Sequence, residues 1–299
     1  YFGVEAPKLI ENVRTQVKDI EIRETAGVQK NISLKKAWNL MQDNTVVTLP
    51  AVTEDNILEG LITVGDITRS YMNVYDSSIL SKACTQYSNI LETLEGALVV
   101  GDENAYFDQG KVLVAAANPD MMEYYIEKND LVILGNRYES QLCAIEMEAS
   151  CIIVCEGAGV SMTIKKLAQE RGCTVLTTPY DTYTAARLIN QSMPISYFMK
   201  TDGLVTFRMD SLVDQIKDVM AKLRHRDFPI LDGRGRYVGM ISRRNLMNMR
   251  RKQLILVDHN ERAQAPDGID NAEILEIIDH HRIGSLETMA PVFFRNQPL

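Results

Sequence analysis

GLITVGDI at residues 60–67 and GMISRRNL at residues 239–246 follow one pattern: a glycine, apolar residues, a hydroxyl, two further residues, then Asp or Asn. The positions are Gly60, Ile62, Thr63 and Asp66 in the first, and Gly239, Ile241, Ser242 and Asn245 in the second. Each string is preceded by a strand-like run, TVVTLPAVT or DFPIL, and by a turn, at Asp55 and Asn56 or over DGRGR. Further upstream come apolar residues at helical spacing, Leu34, Ala37, Trp38 and Met41 in one case and Leu212, Ile216, Val219 and Leu223 in the other. Each unit therefore reads helix, strand, turn, strand, helix. A small sheet has one face that needs cover, so the two units are expected to stack into one body.

Between the repeats, residues 76–190 alternate strand-like runs (GALVVG, KVLVAA, DLVILG, CIIVCEG, CTVLTTP) with helical pieces such as MMEYYIEKN and SMTIKKLAQERG. Alternation at this spacing predicts a three-layer α/β unit around a largely parallel sheet. Its one chemically suggestive stretch is CEGAGVS, where Gly157 and Gly159 precede a helix whose free amides could hold an anion. A lone GxG is more often a tight strand-to-helix turn, which is the default reading.

The last third carries two strings of another kind, VDHNE (257–261) and IDHHR (278–282), each directly after an apolar run. Leu254 to Val257 read as a buried strand delivering Asp258 and His259, and Ile274 to Ile278 as one delivering Asp279, His280 and His281. All but one of the four histidines lie here. Carboxylates and imidazoles at strand ends suit manganese or cobalt as well as zinc. The alternative is a histidine pair that merely sits at the surface.

Composition narrows the classes. The 299 residues suit about two domains, and the hydrophobic (45%) and charged (24%) fractions are those of a soluble globular protein. With 32 Lys and Arg against 40 Asp and Glu, the net charge of -8 argues against a nucleic-acid or acidic-membrane binder. No apolar run approaches the roughly 20 residues that span a bilayer, and the start lacks a signal pattern, so a cytoplasmic location is expected. Cys84, Cys143, Cys151, Cys155 and Cys173 lack paired CxxC spacing and are expected as core thiols, neither disulfides nor zinc ligands.

The repeated closing pattern resembles the CBS domain, whose units work as pairs, and the middle segment resembles the DRTGG domain, with GNRYE (135–139) roughly where the naming pentapeptide is sought. The opening YFGVEAPKLIENV and the strings VDHNE and DHHR, with Asp258 and His280 22 positions apart, are similar to the manganese-dependent family II inorganic pyrophosphatases of the DHH phosphoesterase superfamily, in their CBS-containing subgroup. The fold expected is α/β: a CBS pair of βαββα units plus a three-layer DRTGG-like domain, flanked by pieces of a parallel-sheet DHH domain. The divisions are a DHH helix at 1–14, CBS repeat 1 at 15–75, the DRTGG-like domain at 76–190, CBS repeat 2 at 191–250 and a second DHH piece at 251–299. The chain starts at Tyr1 and is expected to be a piece of a longer polypeptide with an incomplete site.

The resemblance implies hydrolysis of pyrophosphate to two phosphates by two-metal catalysis with Mn2+ (or Co2+) and Mg2+. Asp258 would be a bridging ligand and His280 a second metal ligand. His281 would contact the substrate phosphate, Asp279 would orient an imidazole, and His259, Asn260 and Glu261 would support them. Resemblance to CBS pairs implies an adenine nucleotide in the cleft between repeats. Asp66 and Asn245 would meet ribose hydroxyls, Thr63 and Ser242 phosphate oxygens, and Lys200 and Thr201 the adenine end. Among the arginines near these strings (Arg69, Arg224, Arg226, Arg234, Arg236, Arg243, Arg244), Arg236 and Arg243 are the first candidates for phosphate, while Tyr237 is expected in the core. AMP and ADP would inhibit, and ATP or diadenosine polyphosphates activate, a homodimer. The competing reading is a catalytically inert nucleotide-sensing and dimerisation module; a further one is a DHH phosphoesterase acting on polyphosphate or short oligonucleotides.

Overall fold

The structure, a computed structural model, describes residues 10, 12–72, 76–247, 249, 251–258, 260–282, 284, 286–288 and 290–296. The chain forms two units, one continuous (26–204) and one made of two stretches (1–25 and 205–299). Among the described residues no helix is long and apolar enough to cross a membrane.

In the continuous unit the first repeat consists of α1 (Leu34–Asp43), β1 (Thr48–Val52), β2 (Leu58–Thr63) and α2 (Val64–Met72). Ser33 starts α1 by accepting from the Lys36 amide at 3.0 Å, which satisfies one of the donors a helix start leaves open. Leu34, Ala37 and Met41 are buried, but Trp38, expected on the same face, is 40% exposed. The hairpin β1–β2 is antiparallel and turns through Asn56, at a φ of 61°, where the turn was expected.

The middle segment begins with α3 (Ile79–Lys82), β3 (Thr85–Gln86) and α4 (Tyr87–Leu94), then β4 (Ala97–Val100), β5 (Tyr106–Phe107) and β6 (Val112–Val114). It continues with α5 (Pro119–Met122), β7 (Leu131–Leu134), α6 (Tyr138–Glu146), β8 (Cys151–Val154), α7 (Met162–Arg171), β9 (Thr174–Thr177) and α8 (Thr182–Leu188). The helix expected over MMEYYIEKN is a single turn, started by Pro119. The five-stranded sheet has the order β4-β9-β8-β7-β6, parallel except for β4. Ile133, Ile153 and Leu176 share one core with α4 and α8, while Val132, Val154 and Val175 pack with α6 and α7 on the other face. That is the expected three-layer arrangement, and it explains why β7 and β8 are buried at every position. The first of these cores also takes in Leu34, Met41, Leu49 and Ile62, so repeat 1 and the α/β segment share one apolar interior.

In the other unit β10 (Phe207–Arg208) pairs parallel with β11 (Asp227–Leu231), and β11 antiparallel with β12 (Tyr237–Ser242). Helices α9 (Val213–Lys222) and α10 (Arg243–Met247) complete the second repeat around Val213, Ile216, Met220, Phe228, Ile230 and Ile241. The last elements, β13 (Gln253–Val257), β14 (Glu273–Asp279) and β15 (Phe293–Asn296), form a parallel sheet over Leu256, Ile269 and Ile277. The helix expected over 1–14 lies mostly outside the described residues; Ile10 and residues 12–14 are not helical, and Asn12 instead bridges Asp267.

Each repeat is completed by a segment distant in sequence. In the continuous unit, residues after Pro194 return to β2, where Leu61 and Lys200 exchange both backbone hydrogen bonds at 2.9 Å. In the other unit the segment before Thr25 lies against β12, where Arg23 and Met240 do the same at 2.9 Å. The glycines of the two closing patterns are the seats: a Cβ on Gly60 would lie 2.9 Å from the Lys200 carbonyl oxygen, and one on Gly239 3.0 Å from that of Arg23. Glycine in a strand marks such close backbone approach.

Candidate metal centre and the ends of the repeats

The parallel register that pairs Val257 with Ile278 sets the residues after β13 beside those ending β14. Asp258 donates its amide to the Ile278 carbonyl at 2.8 Å and turns into the left-handed region at a φ of 60°, a conformation that a non-glycine residue adopts at some cost. Ligand atoms of Asp258, Asp279, His280 and His281 then all fall within 4.8 Å of one another. His280 Nδ1 is 3.2 Å from Asp258 Oδ1, and His281 Nδ1 is 3.6 Å from the same oxygen. The two imidazoles lie with centroids 4.0 Å apart.

Asp279 is fully buried, and three donors hold it: the His281 amide and ring Nδ1 at 2.8 Å each, and Asn260 Nδ2 at 2.7 Å. The backbone amide of His281 is the main cause that keeps its carboxyl below the ordinary range, so it is an anion at neutral pH. An anionic acceptor is met by the Nδ1 N–H of His281, which leaves Nε2 as the ring nitrogen turned to other partners. Asn260, itself buried, also donates to the Arg282 carbonyl at 3.1 Å and accepts from the Gly284 amide at 2.6 Å. The sequence reading missed Arg282 and Gly284; the glycine two residues beyond DHHR was the available signal, because a Cβ there would lie 2.4 Å from Asn260 Oδ1. Glu261 is exposed and starts a 3-10 turn over 262–264, and His259 lies outside the described residues. Asp258 and His280, set beside the mutually bonded Asp279 and His281, offer a carboxylate and an imidazole of the kind that suits a divalent cation.

The closing patterns of the repeats are near copies at atomic level. In the first, Asp66 Oδ2 accepts from the Thr63 amide at 3.0 Å and from its hydroxyl at 2.7 Å. In the second, Asn245 Oδ1 accepts from the Ser242 amide at 2.9 Å and from its hydroxyl at 2.7 Å. Asp66, Arg69, Ser70, Ile79 and Phe198 line a cavity of about 130 Å³. Lys200 and Thr201 are exposed, with the Lys200 backbone paired to β2.

Several expected ligand contacts meet other partners. Arg243 donates to the carbonyls of Met220 and Leu223, closing the end of α9, and Arg236 holds Asp232 with both Nε and Nη2 at 2.9 Å. Asn245 has its amide nitrogen on the Glu21 carbonyl at 3.1 Å. Tyr237 is buried as expected, its hydroxyl donating to Thr25 O at 2.7 Å. In CEGAGVS the amides of Glu156 and Gly157 donate to Tyr180 and Thr178, which makes this a tight turn and leaves neither amide to an anion. Cys143, Cys151, Cys155 and Cys173 are buried and Cys84 is exposed. Burial pushes the Cys155 thiol up to about 11 and that of Cys173 to about 12, so neither is a thiolate at neutral pH.

These features define a class: two CBS-type repeats, with a DRTGG-type α/β domain between them, running on into a sheet whose strand ends carry carboxylates and imidazoles. The sequence matches the CBS domain family over residues 17–73 and 195–252 and the DRTGG domain family over residues 89–192. Over its whole length it is 42% identical to a cobalt-dependent inorganic pyrophosphatase of Clostridium perfringens and 33% identical to a probable manganese-dependent inorganic pyrophosphatase of Thermotoga maritima. The CBS and DRTGG domains of the regulatory region of Clostridium perfringens pyrophosphatase, solved with the activator diadenosine tetraphosphate, match with a TM-score of 0.73 and 37% identity, over 77% of this chain and 100% of that one. The chain belongs to the family of this region, the CBS- and DRTGG-containing regulatory part of such pyrophosphatases. It spans 54% of the length of each of the two curated relatives.

Proposed function

We propose that the chain is the regulatory region, with part of the active site, of a cytoplasmic inorganic pyrophosphatase governed by adenine nucleotides. The observation that carries this reading is the convergence of Asp258, Asp279, His280 and His281 in a chain that also holds two CBS closing patterns. The domain divisions proposed are those drawn from the sequence, with the remaining metal ligands in other parts of a longer polypeptide.

In the site, Asp258 and His280 would hold the divalent cation, manganese or cobalt, with magnesium as the further ion. When bound, such a cation neutralises phosphate charge and lowers the pKa of a water. Asp279 holds the His281 ring through Nδ1, so that Nε2 is the ring atom turned outward, where it would meet a phosphate oxygen as an N–H donor with the imidazole in its doubly protonated form, and Asn260 fixes Asp279. Glu261 supports the turn that carries Asn260. Pyrophosphate is the proposed substrate.

In the first repeat Asp66 meets the ribose, Thr63 a phosphate, and Lys200 and Thr201 the adenine. Ser242 serves phosphate in the second. AMP and ADP inhibit, and ATP or diadenosine polyphosphates activate, by differential binding to two arrangements of the region. A homodimer is supported by the groove between α1 and α2, about 390 Å³, which Trp38 and Tyr71 flank with 40% and 54% exposure.

The test is calorimetric titration of the chain with AMP, ATP and a diadenosine polyphosphate, with mass measured in parallel, and pyrophosphate hydrolysis by the full-length protein with and without Asp258→Ala. Saturable binding together with loss of hydrolysis supports the reading. Absence of hydrolysis by the complete chain leaves an inert nucleotide-sensing module.

A further inference from the structure

We infer that the two closing patterns have divided their work: Asp66 keeps a carboxylate oxygen for a ribose diol, whereas Asn245 is a clasp that fastens the segment 20–25 to the second repeat and touches no nucleotide. The Asp66 half rests on the nucleotide reading above; the Asn245 half rests on hydrogen bonds within one unit.

The two side chains are isosteric and use one oxygen identically, on the amide and hydroxyl of Thr63 or Ser242. They differ at the other atom. Asp66 Oδ1 has Arg69 at 3.6 Å, on a side chain that is 71% exposed, which leaves that oxygen able to accept from a pair of hydroxyls. Asn245 Nδ2 is a donor and already faces the Glu21 carbonyl at 3.1 Å. An aspartate at 245 would set a carboxylate oxygen against that carbonyl, two acceptors with no proton between them. The identity of each residue follows from what lies opposite it.

What Asn245 holds is the segment that the second repeat receives from the start of the chain. Register makes Arg23 the counterpart of Lys200, because Arg23 pairs with Met240 as Lys200 pairs with Leu61. Here, however, the segment is secured by side chains as well as backbone. Arg23 Nη2 is 2.9 Å from the buried Asp227, Arg23 Nε is 3.0 Å from Thr25 Oγ1, and the Tyr237 hydroxyl is 2.7 Å from Thr25 O. Asn245 adds the bond from α10, at the point where β12 becomes helix. The Asp-or-Asn position thus became a fastening in one repeat and stayed open in the other.

The experiment pairs calorimetric titration with AMP and hydrogen exchange at the Arg23 amide, in the whole chain. Asp66→Asn is expected to weaken AMP by at least about tenfold, the range for a hydrogen bond to a charged group, with exchange unchanged. Asn245→Ala and Asn245→Asp are expected to keep AMP affinity within about threefold and to speed exchange by about tenfold, Asp more than Ala. Asn245→Ala removes the donor without adding charge and carries the test if Asn245→Asp does not fold. Loss of AMP binding in Asn245→Ala equal to that in Asp66→Asn, with exchange unchanged, overturns the inference. A wild-type chain that binds no AMP while Asn245→Ala still speeds exchange overturns the nucleotide reading and leaves the clasp standing.

Discussion

LVIL at 131–134 and LILV at 254–257 contain the same four residues, and both are strands of parallel sheets. The first is buried at every position; in the second Ile255 and Val257 are 54% and 49% exposed, as is Phe293 at 62% on the opposite edge of the sheet. The difference lies in the layers. Helices cover both faces of the five-stranded sheet, whereas the described residues cover one face of the three-stranded sheet. Burial of a strand is thus a property of what packs on it, and the composition of the strand states only what it can tolerate.

The largest test of that comparison is one substitution made in both strands. Ile133→Ala should cost about 2–5 kcal/mol in chemical denaturation, because it leaves a cavity between two filled layers. Ile255→Ala should stay within about 0.5 kcal/mol in the same chain. Equal costs would mean that the open face is covered in solution, and a concentration-dependent midpoint would identify a second copy as the cover.

Next in size is Asn260→Ala, which strips a donor from buried Asp279 and a partner from Gly284. About 1–3 kcal/mol of local stability should go, and Mn2+ or Co2+ titrated into the protein should bind about 10–100-fold more weakly. Unchanged metal affinity would separate the Asn260 bonds from the metal centre. Ser33→Ala, in the continuous unit, should cost about 1 kcal/mol by removing the start of α1, with faster amide exchange at Lys36 as the signature. The smallest effect concerns Asp232, whose carboxyl sits below its ordinary range chiefly because the Arg236 amide donates to it. A depressed value means that this contribution is present above the unfolded pKa of about 4 and fades as pH falls through the folded value. Asp232→Asn should flatten the acid side of the stability profile slightly, and an unchanged profile would count against the assignment.

The fold was legible where pattern and chemistry agree. Strand ends at Thr63 and Ser242 pass straight into helices, and the doubled pattern located both junctions. Asp258 and Asp279 were legible as neighbours because two apolar runs each end in a carboxylate. Which segment completes which repeat was not legible, since Lys200 and Arg23 reach their partners across the chain through backbone bonds that any residue can make. Nor could the sequence show that Arg236 and Arg243 are engaged within the chain, because a guanidinium near a phosphate-type pattern looks the same whether it faces a ligand or the carbonyls closing α9.

The completion of each repeat by a segment distant in sequence also bears on the order in which the protein can fold. The unit 26–204 is contiguous and can fold as soon as it has been synthesised, while the other must join residues on either side of it. Closing so long a loop as an unstructured chain would be slow. In the folded unit, however, Val28 lies beside β1, β1 beside β2, and β2 beside Lys200. Three strand spacings put its two ends about 14 Å apart. Relative to a disordered loop, that shortens the closure to the equivalent of a few residues and saves about 3 kcal/mol. The inserted domain thereby acts as a splint: once it is formed, the two halves of its neighbour are held close enough to find each other.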